Sequence, residues 1–310
     1  MPAGFKESPA LNFLKAVGNT PLVKISKNLY GKLETANPTG SVKDRMISYV
    51  VEGAIKNSEI KSTTLLVEAT SGNTGISLSA LGAAMGNPVQ IVMPSNMSEE
   101  RKQMMRAFGA DILEVAASDF DAAIQKRNEI LACIDDSWSP CQFENSDNIK
   151  CHMHKTAPEI YEQIPGNTAW AGFVSGVGTG GTIMGVHSFI QKTPSLNTKI
   201  IMVKPDEPSD QHGIQGISDG EDFLADTSLF DEIIRIKTED AKERARRLAV
   251  ENGLLVGISA GANILAAEKW IEENNITGTV VTMLCDRGER YLGSVWADRE
   301  YLKKNTNPLD

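Results

Sequence analysis

Short runs of β-branched and apolar residues alternate with amphipathic runs of helical period along most of this 310-residue chain. That alternation leaves few folds open, because strands separated by helices must run parallel and be covered on both faces. In the first half, strands are expected over Leu65–Ala69, Val89–Met93 and Ile112–Ala116. Helices follow each, over Ile76–Met85, Ser98–Phe108 (Ser98 as cap, with acid just after it) and Asp119–Cys133. In the second half, strands are expected over Ala171–Val177, Lys199–Val203, Ile233–Ile236, Leu255–Ile258 and Val280–Leu284. Helices are expected over Thr182–Gln191, Thr238–Asn252 and Ala260–Glu273. The pattern is α/β with mostly parallel sheets. The segment Ser139–Lys150, rich in Pro, Asn, Asp and Ser, reads as a boundary between two wound halves, with a cleft between them. Asn305–Asp310 reads as a loose tail.

One lysine stands at a turn-to-helix junction. In Asn37-Pro38-Thr39-Gly40-Ser41-Val42-Lys43-Asp44-Arg45, Asn-Pro and Thr-Gly are turn dipeptides. Beyond them Met46, Ile47, Val50, Val51, Ala54 and Ile55 recur at helical spacing. A helix start disfavours added positive charge and so pushes a lysine amine toward its neutral, nucleophilic form, the form that Schiff-base chemistry needs. Taken alone, such a lysine reads as a solvated surface side chain; the rest of the sequence changes that reading.

Three further turns join a strand to a helix. Thr70-Ser71-Gly72-Asn73-Thr74-Gly75 offers amides and hydroxyls to a carboxylate or phosphate, or is plain Ser/Thr capping. Ser175-Gly176-Val177-Gly178-Thr179-Gly180-Gly181-Thr182 contains G-x-G-x-x-G, with Asp206 about where a ribose-binding acid would stand. It reads equally as a cup of amides and two hydroxyls around one phosphate, or as a glycine-rich packing turn. In Gly257-Ile258-Ser259-Ala260-Gly261-Ala262, Ser259 either caps a helix or offers its hydroxyl to a ring nitrogen. Cys151-His152-Met153-His154 has no second ligand pair at zinc spacing and reads as a helix start with partly exposed imidazoles, and no metal is expected. Cys285 reads as a buried structural thiol.

Composition excludes several functions. Hydrophobic residues make up 41% and charged residues 23%, enough for a sizeable core and against global disorder. A net charge of −9, with no Lys/Arg-rich run, opposes nucleic-acid binding. No run approaches the roughly 18 apolar residues of a membrane span, and Met1–Val17 lacks the apolar core of a signal peptide. Four cysteines without a C-x-x-C pair suit a reducing compartment, so a cytoplasmic protein is expected.

In this order, the lysine and the glycine turns resemble the fold-type II pyridoxal-phosphate enzymes, specifically the cysteine synthase and cystathionine β-synthase family. The likeness runs from Gly18-Asn19-Thr20-Pro21-Leu22-Val23 to Asp286-Arg287-Gly288-Glu289-Arg290-Tyr291-Leu292. It passes through Met93-Pro94, Met97-Ser98, Glu100-Arg101 and Met105-Arg106-Ala107-Phe108-Gly109-Ala110. Glu68-Ala69-Thr70 and Cys285-Asp286-Arg287 look most like the B-type branch. The resemblance implies two wound α/β domains, like the tryptophan synthase β subunit, with the cofactor cleft between them. It implies a smaller, mobile, substrate-binding unit at 36–147, and a larger, phosphate-binding unit formed by 1–35 and 148–310. The implied cofactor is pyridoxal 5'-phosphate. Lys43 would hold it covalently, Asn73 would bond the ring hydroxyl, and Gly178, Thr179, Gly180, Gly181 and Thr182 would cradle the phosphate. Ser259 would face the pyridine nitrogen, and Thr70, Ser71, Gly72, Thr74 and Gln142 would bind the substrate carboxylate. The implied reaction is β-replacement: O-acetylserine loses acetate to give an aminoacrylate, sulfide adds, and L-cysteine leaves. A homodimer is implied, and a serine acetyltransferase tail is an implied partner of the cleft.

Some positions depart from the family pattern: Lys155-Thr156-Ala157-Pro158-Glu159-Ile160, Lys204-Pro205, the short segment Asp206–Gln211, and Ser-Ala-Gly at 259–261. They are expected near the cleft mouth, where donor and nucleophile are chosen. O-phosphoserine as donor, homocysteine or thiosulfate as nucleophile, and serine/threonine dehydration therefore stand as alternatives. A nicotinamide oxidoreductase and a catalytically idle scaffold are the readings from other classes.

Overall fold

The computed structural model describes residues 9–167, 170–208, 211–217 and 223–293. The expected tail at 305–310 lies outside the described residues, as do two positions of the 206–211 segment. The chain opens with α1 (Pro9–Ala16), the antiparallel pair β1 (Leu22–Lys24) and β2 (Leu29–Leu33), and α2 (Lys43–Lys56). A four-stranded parallel sheet follows, built from β3 (Leu65–Ala69), β4 (Val89–Pro94), β5 (Asp111–Val115) and β6 (Ser137–Trp138) in the order β5-β4-β3-β6. Its crossovers are α3 (Asn73–Met85), α4 (Glu99–Ala107) and α5 (Phe120–Cys133).

Side chains alternate across a strand, and a parallel sheet is buried on both faces. Leu66, Ile91 and Met93 accordingly pack on one face against α2, α3 and α4, through Met46, Ile47, Ile76, Leu78 and Met105. Val67, Ala69 and Val92, one register position away, pack on the other face against Ala123 of α5. The helical period expected from Asp44 to Lys56 is thus the buried stripe of α2. Ser98 caps α4, accepting the Arg101 N–H at 3.4 Å.

The chain then forms α6 (Asp147–Cys151), a π-helical turn (His152–Thr156) and α7 (Ala157–Gln163). The second sheet adds β7 (Gly172–Gly176), β8 (Lys199–Pro205), β9 (Glu232–Ile236) and β10 (Val280–Leu284), in the order β1-β2-β10-β7-β8-β9. All pairings except β1–β2 are parallel. Alternation again supplies two cores. Val174, Ile201, Val203 and Leu284 meet α9 (Thr238–Asn252) and α10 (Ile258–Glu273). Phe173, Ile200, Met202 and Met283 meet α7 and α8 (Gly181–Gln191). Among the described residues no helix is long and apolar enough to cross a membrane.

One expected strand is absent. Leu255–Ile258 makes only an isolated bridge, Val256 to Arg287, and Ile258 already begins α10. β10 is paired on both edges by β2 and β7, so the sheet has no free edge there for another strand. β1 and β6 went unforeseen because each is short, and β2 because Gly31 and Lys32 interrupt its apolar residues.

Candidate active site

The turn before α2 is held from inside. Asp44 is buried and accepts the Thr39 N–H at 2.7 Å, the Thr39 hydroxyl at 2.5 Å and the Ser77 hydroxyl at 2.5 Å. Gly40 has φ +83°, where a side chain is strained, and an added Cβ would lie 2.7 Å from Arg287 Cδ. This turn delivers Lys43 as the first residue of α2, half-buried and facing a cavity. No hydrogen bond or ion pair among the described residues engages its Nζ. Burial lowers the Lys43 pKa below the usual lysine value, against the opposing pull of Cys285 and Asp286. The desolvated helix start thus favours the neutral amine, as the sequence suggests.

Asn73, Gly178, Thr179, Gly180, Thr182 and Ser259 line the same cavity. The strand ends and helix starts of both sheets therefore converge on one lysine. Asn73 begins α3, whose N-cap is Gly72, with no side-chain cap, so the plain capping reading of that turn fails. Ser259 lies in the first turn of α10, capped at Gly257 without a side-chain bond, so it is a cavity hydroxyl and not a cap. Gly180 is the left-handed N-cap of α8 (φ 89°), leaving the first amides of that helix without intrahelical partners. A Cβ on Gly178 would lie 2.5 Å from the Gly216 carbonyl, so the wall is bare backbone by necessity. Gly181 is not itself in the lining; its N–H reaches Thr179 Oγ1 at 3.3 Å.

The other predicted residues sit beside this cavity and not in its lining. Thr74 and Gln142 are buried against each other, Oγ1 donating to Oε1 at 2.6 Å. Thr70 is buried, and Ser71 and Gly72 are half-buried in the turn before Asn73. Beneath them lies a buried ion pair that the sequence reading missed. Glu68 accepts the Gln142 N–H at 3.3 Å, the Ala69 N–H at 2.8 Å and Arg127 Nη1 at 3.3 Å. Burial raises the Glu68 pKa, and Arg127 pulls it back down.

Asp286, Arg290, Tyr291, Asn263 and Cys285 were also missed as site components. Asn73 Nδ2 donates to Asp286 Oδ2 at 2.8 Å, and its Oδ1 accepts from Arg290 Nη1. Asp286 Oδ2 also accepts the Tyr291 hydroxyl at 2.7 Å, while its buried Oδ1 has no hydrogen-bond partner. Asn263, one helical turn after Ser259 on α10, accepts the Gly176 N–H at 2.7 Å and donates to the Met283 carbonyl at 3.0 Å. A polar side chain one turn from Ser259, within the otherwise apolar run Ala260–Ala267, was the available signal for it. Cys285 corrects the structural-thiol reading: it is half-buried, lines the cavity, and has its thiol pushed up to about 12, chiefly by burial.

Two expectations are corrected by position. His152 is 2% exposed rather than partly open, because the π-helical turn presses it against α8. Lys155 and Glu159 line a separate cavity with Gly18, Asn19 and Tyr49, away from Lys43. Lys155 therefore does not border the lysine cavity. Asp206 is outside the lining of the Lys43 cavity, whereas Gly176, Gly178 and Gly180 of the glycine turn are in it.

Residues 13–286 match the family model described as "Pyridoxal-phosphate dependent enzyme". The chain is 38% identical over 307 residues to a cysteine synthase of Staphylococcus aureus, covering 93% of this chain and 97% of that one. It is 37% identical to cysteine synthase B of Escherichia coli, covering 90% and 94%. A solved hydrogen sulfide-producing enzyme of Fusobacterium nucleatum superposes with a TM-score of 0.86 at 36% identity, covering 92% of this chain and 90% of that one. The residues present suit the cofactor: an unpaired, half-buried amine for its aldehyde, backbone amides at a helix start for its phosphate, and a hydroxyl for its ring. With its cysteine synthase relatives and its two mostly parallel sheets meeting at Lys43, the chain belongs to the pyridoxal-phosphate-dependent enzymes, and pyridoxal 5'-phosphate is its cofactor.

Proposed function

We propose that this chain makes L-cysteine by β-replacement, from O-acetylserine and sulfide. The observation that carries this reading is that the cavity of the free amine Lys43 contains a serine hydroxyl, Ser259, where a stronger electron sink would need a carboxylate. When bound, the cofactor supplies an electron sink for a carbanion at Cα. A hydroxyl does not keep a pyridine nitrogen protonated, so that sink stays modest, and departure of a β-substituent outruns racemisation and transamination. Lys43 Nζ holds the cofactor, then takes the Cα proton and later returns it. Acetate leaves with the C–O electron pair, and sulfide forms the C–S bond.

In this reading the other residues take the roles that the family resemblance implies. Asn73, held by Asp286 and Arg290, meets the ring hydroxyl. Gly178, Thr179, Gly180, Gly181 and Thr182 receive the phosphate at the start of α8. Thr70, Ser71, Gly72, Thr74 and Gln142 take the substrate carboxylate. Residues 36–147 are the smaller unit that closes on it, against the larger unit of 1–35 and 148–310. The enzyme works as a homodimer in the cytoplasm, and its cleft admits an acetyltransferase tail.

The test is a donor and nucleophile panel on the purified holoenzyme. Sulfide-dependent cysteine formation from O-acetylserine should far exceed that from serine or O-phosphoserine, and sulfide should outpace homocysteine and thiosulfate. Preference for another pair would reassign the substrate but not the cofactor. The carboxylate subsite has its own test in Glu68→Gln. Weakening the anchor of Gln142 should raise KM for the amino-acid donor about tenfold, the value of one charge-assisted hydrogen bond. Affinity for the cofactor should not change, which steady-state kinetics and a cofactor titration would show together.

A further inference from the structure

The two threonines of the glycine turn are backed by one helical face. α6 and the π-helical turn that continues it place Asn148 and His152 four residues apart, each 2% exposed. Asn148 Nδ2 donates to Thr179 Oγ1 at 2.9 Å and to the Gln142 carbonyl at 3.1 Å. That carbonyl can only accept, so it fixes which way the amide points. His152 Nε2 lies 3.2 Å from Thr182 Oγ1, and its Nδ1 lies 2.8 Å from Thr156 Oγ1. Gly181 makes the approach possible, since a Cβ there would fall 2.0 Å from Asn148 Oδ1. π-Helical turns are rare and concentrate at functional sites.

Counting protons gives these contacts a direction. A threonine hydroxyl has one proton to donate. Thr179 Oγ1 already accepts from Asn148 Nδ2 and from the Gly181 N–H, so its own proton is left for the cavity. At Thr182 two arrangements fit the distances. In one, Thr182 donates to His152 Nε2 and nothing remains for the cavity. In the other, His152 carries its proton on Nε2 and donates to Thr182, whose proton then points inward. The imidazole is neutral, because burial holds its pKa well below the usual value and the charge of Arg45 adds to the effect. It therefore has one proton to place. A phosphate accepts hydrogen bonds and selects the second arrangement.

We propose that Asn148 and His152 are positioning residues that turn both cradle hydroxyls into obligatory donors toward the cofactor phosphate. His152 is the Nε2–H tautomer, and the Thr156 hydroxyl donates to its Nδ1. This rests on the reading of the 178–182 turn as the phosphate cradle.

Nitrogen-15 NMR of imidazole-labelled holoenzyme reads the tautomer directly. The His152 signals should show a protonated Nε2 and an unprotonated Nδ1; the reverse pattern would overturn the proposal. Equilibrium binding of pyridoxal 5'-phosphate and of pyridoxal, which lacks the phosphate, gives a second readout. Asn148→Asp and His152→Phe should weaken the phosphorylated compound about tenfold to a hundredfold, the worth of a charged hydrogen bond, and leave pyridoxal within about twofold. His152→Gln, which keeps a donor, should recover most of the loss. Equal weakening of both compounds, or of neither, would mean that the two residues only support the fold. If Thr179→Ala and Thr182→Ala also fail to discriminate between the compounds, the cradle reading itself falls. If they discriminate while the Asn148 and His152 variants do not, only this inference falls. Should the variants not fold, the tautomer measurement on the unaltered protein still decides.

Discussion

Lys43→Ala lowers kcat for cysteine formation by about 10³- to 10⁴-fold, the upper range of what a positioned proton-transfer group contributes. The substitution removes the nitrogen that holds the cofactor and moves the Cα proton, and the cavity has no second amine to replace it. Borohydride reduction followed by mass spectrometry finds an adduct at residue 43 in the unaltered protein and none in the variant. The fold survives, because Lys43 is the first residue of α2 and alanine is a good helix former. Without cofactor, the variant should in fact be the more stable protein at neutral pH. The sign follows from proton linkage. Folding lowers the Lys43 pKa below its unfolded value of 10.5, so between the two values the unfolded chain binds more protons. The charged amine therefore costs stability at neutral pH, and that cost fades as pH climbs toward 10.5. Thermal melts of both cofactor-free proteins from pH 7 to pH 10 should start apart, with the variant higher, and converge. A variant that melts lower at pH 7, or keeps more than about a hundredth of the activity, would show that this amine is neither desolvated nor central.

That lysine was legible because its signal is local: turn dipeptides, then an apolar stripe of helical period, all within twenty residues. The glycine turns were legible for the same reason, and so were the longer strands and helices between them. What the sequence hid is what joins distant segments. Asn73 is bonded to Asp286 and Arg290 across more than two hundred residues, and no spacing encodes that contact. Glu68 and Arg127 read separately as a strand residue and a helix residue, yet they form a buried pair beneath Gln142. Cys285 was misread because a thiol at a strand end is usually core; here β10 ends at the cavity and exposes it. Leu255–Ile258 has the composition of a strand, but both edges of β10 were already taken. His152 was placed at a partly exposed helix start, and only the contact of the π-helical turn with α8 shows it sealed.

The same kind of distant contact pins the lysine turn to the larger sheet, and breaking it should be the most destabilising single change on α2. Arg45 Nε donates to Glu34 Oε2 at 2.6 Å, and Nη2 reaches Glu34 Oε1 at 2.9 Å. Nη1 and Nη2 grip Glu159 at 2.8 and 2.7 Å. Lys32 Nζ closes the cluster on Glu159 at 2.9 Å. Two cations and two carboxylates are thus balanced in a place where Glu34 and Lys32 have no exposed side chain. Burial opposes the charge on Arg45, but Glu34 and Glu159 outweigh it and raise its pKa. Arg45→Met fills similar volume and leaves Glu34 charged, buried and short of its partner. Removing one member of such a cluster costs about 3–5 kcal/mol, or about 5–8 °C in Tm for a chain of this length. The loss carries an acid signature. Burial alone would raise the Glu159 pKa, yet the hydrogen bonds and charge of Arg45 hold it at about 2, against 4.5 when unfolded. A depressed carboxylate stabilises the fold fully above its unfolded pKa and stops doing so as pH falls through its folded one. Denaturant titrations should therefore show the gap between the unaltered protein and Arg45→Met at full size at pH 7, narrowing from about pH 4.5 downward. A gap under about 1 kcal/mol at pH 7, or one that stays constant into acid, would mean that the four charges do not act as a unit.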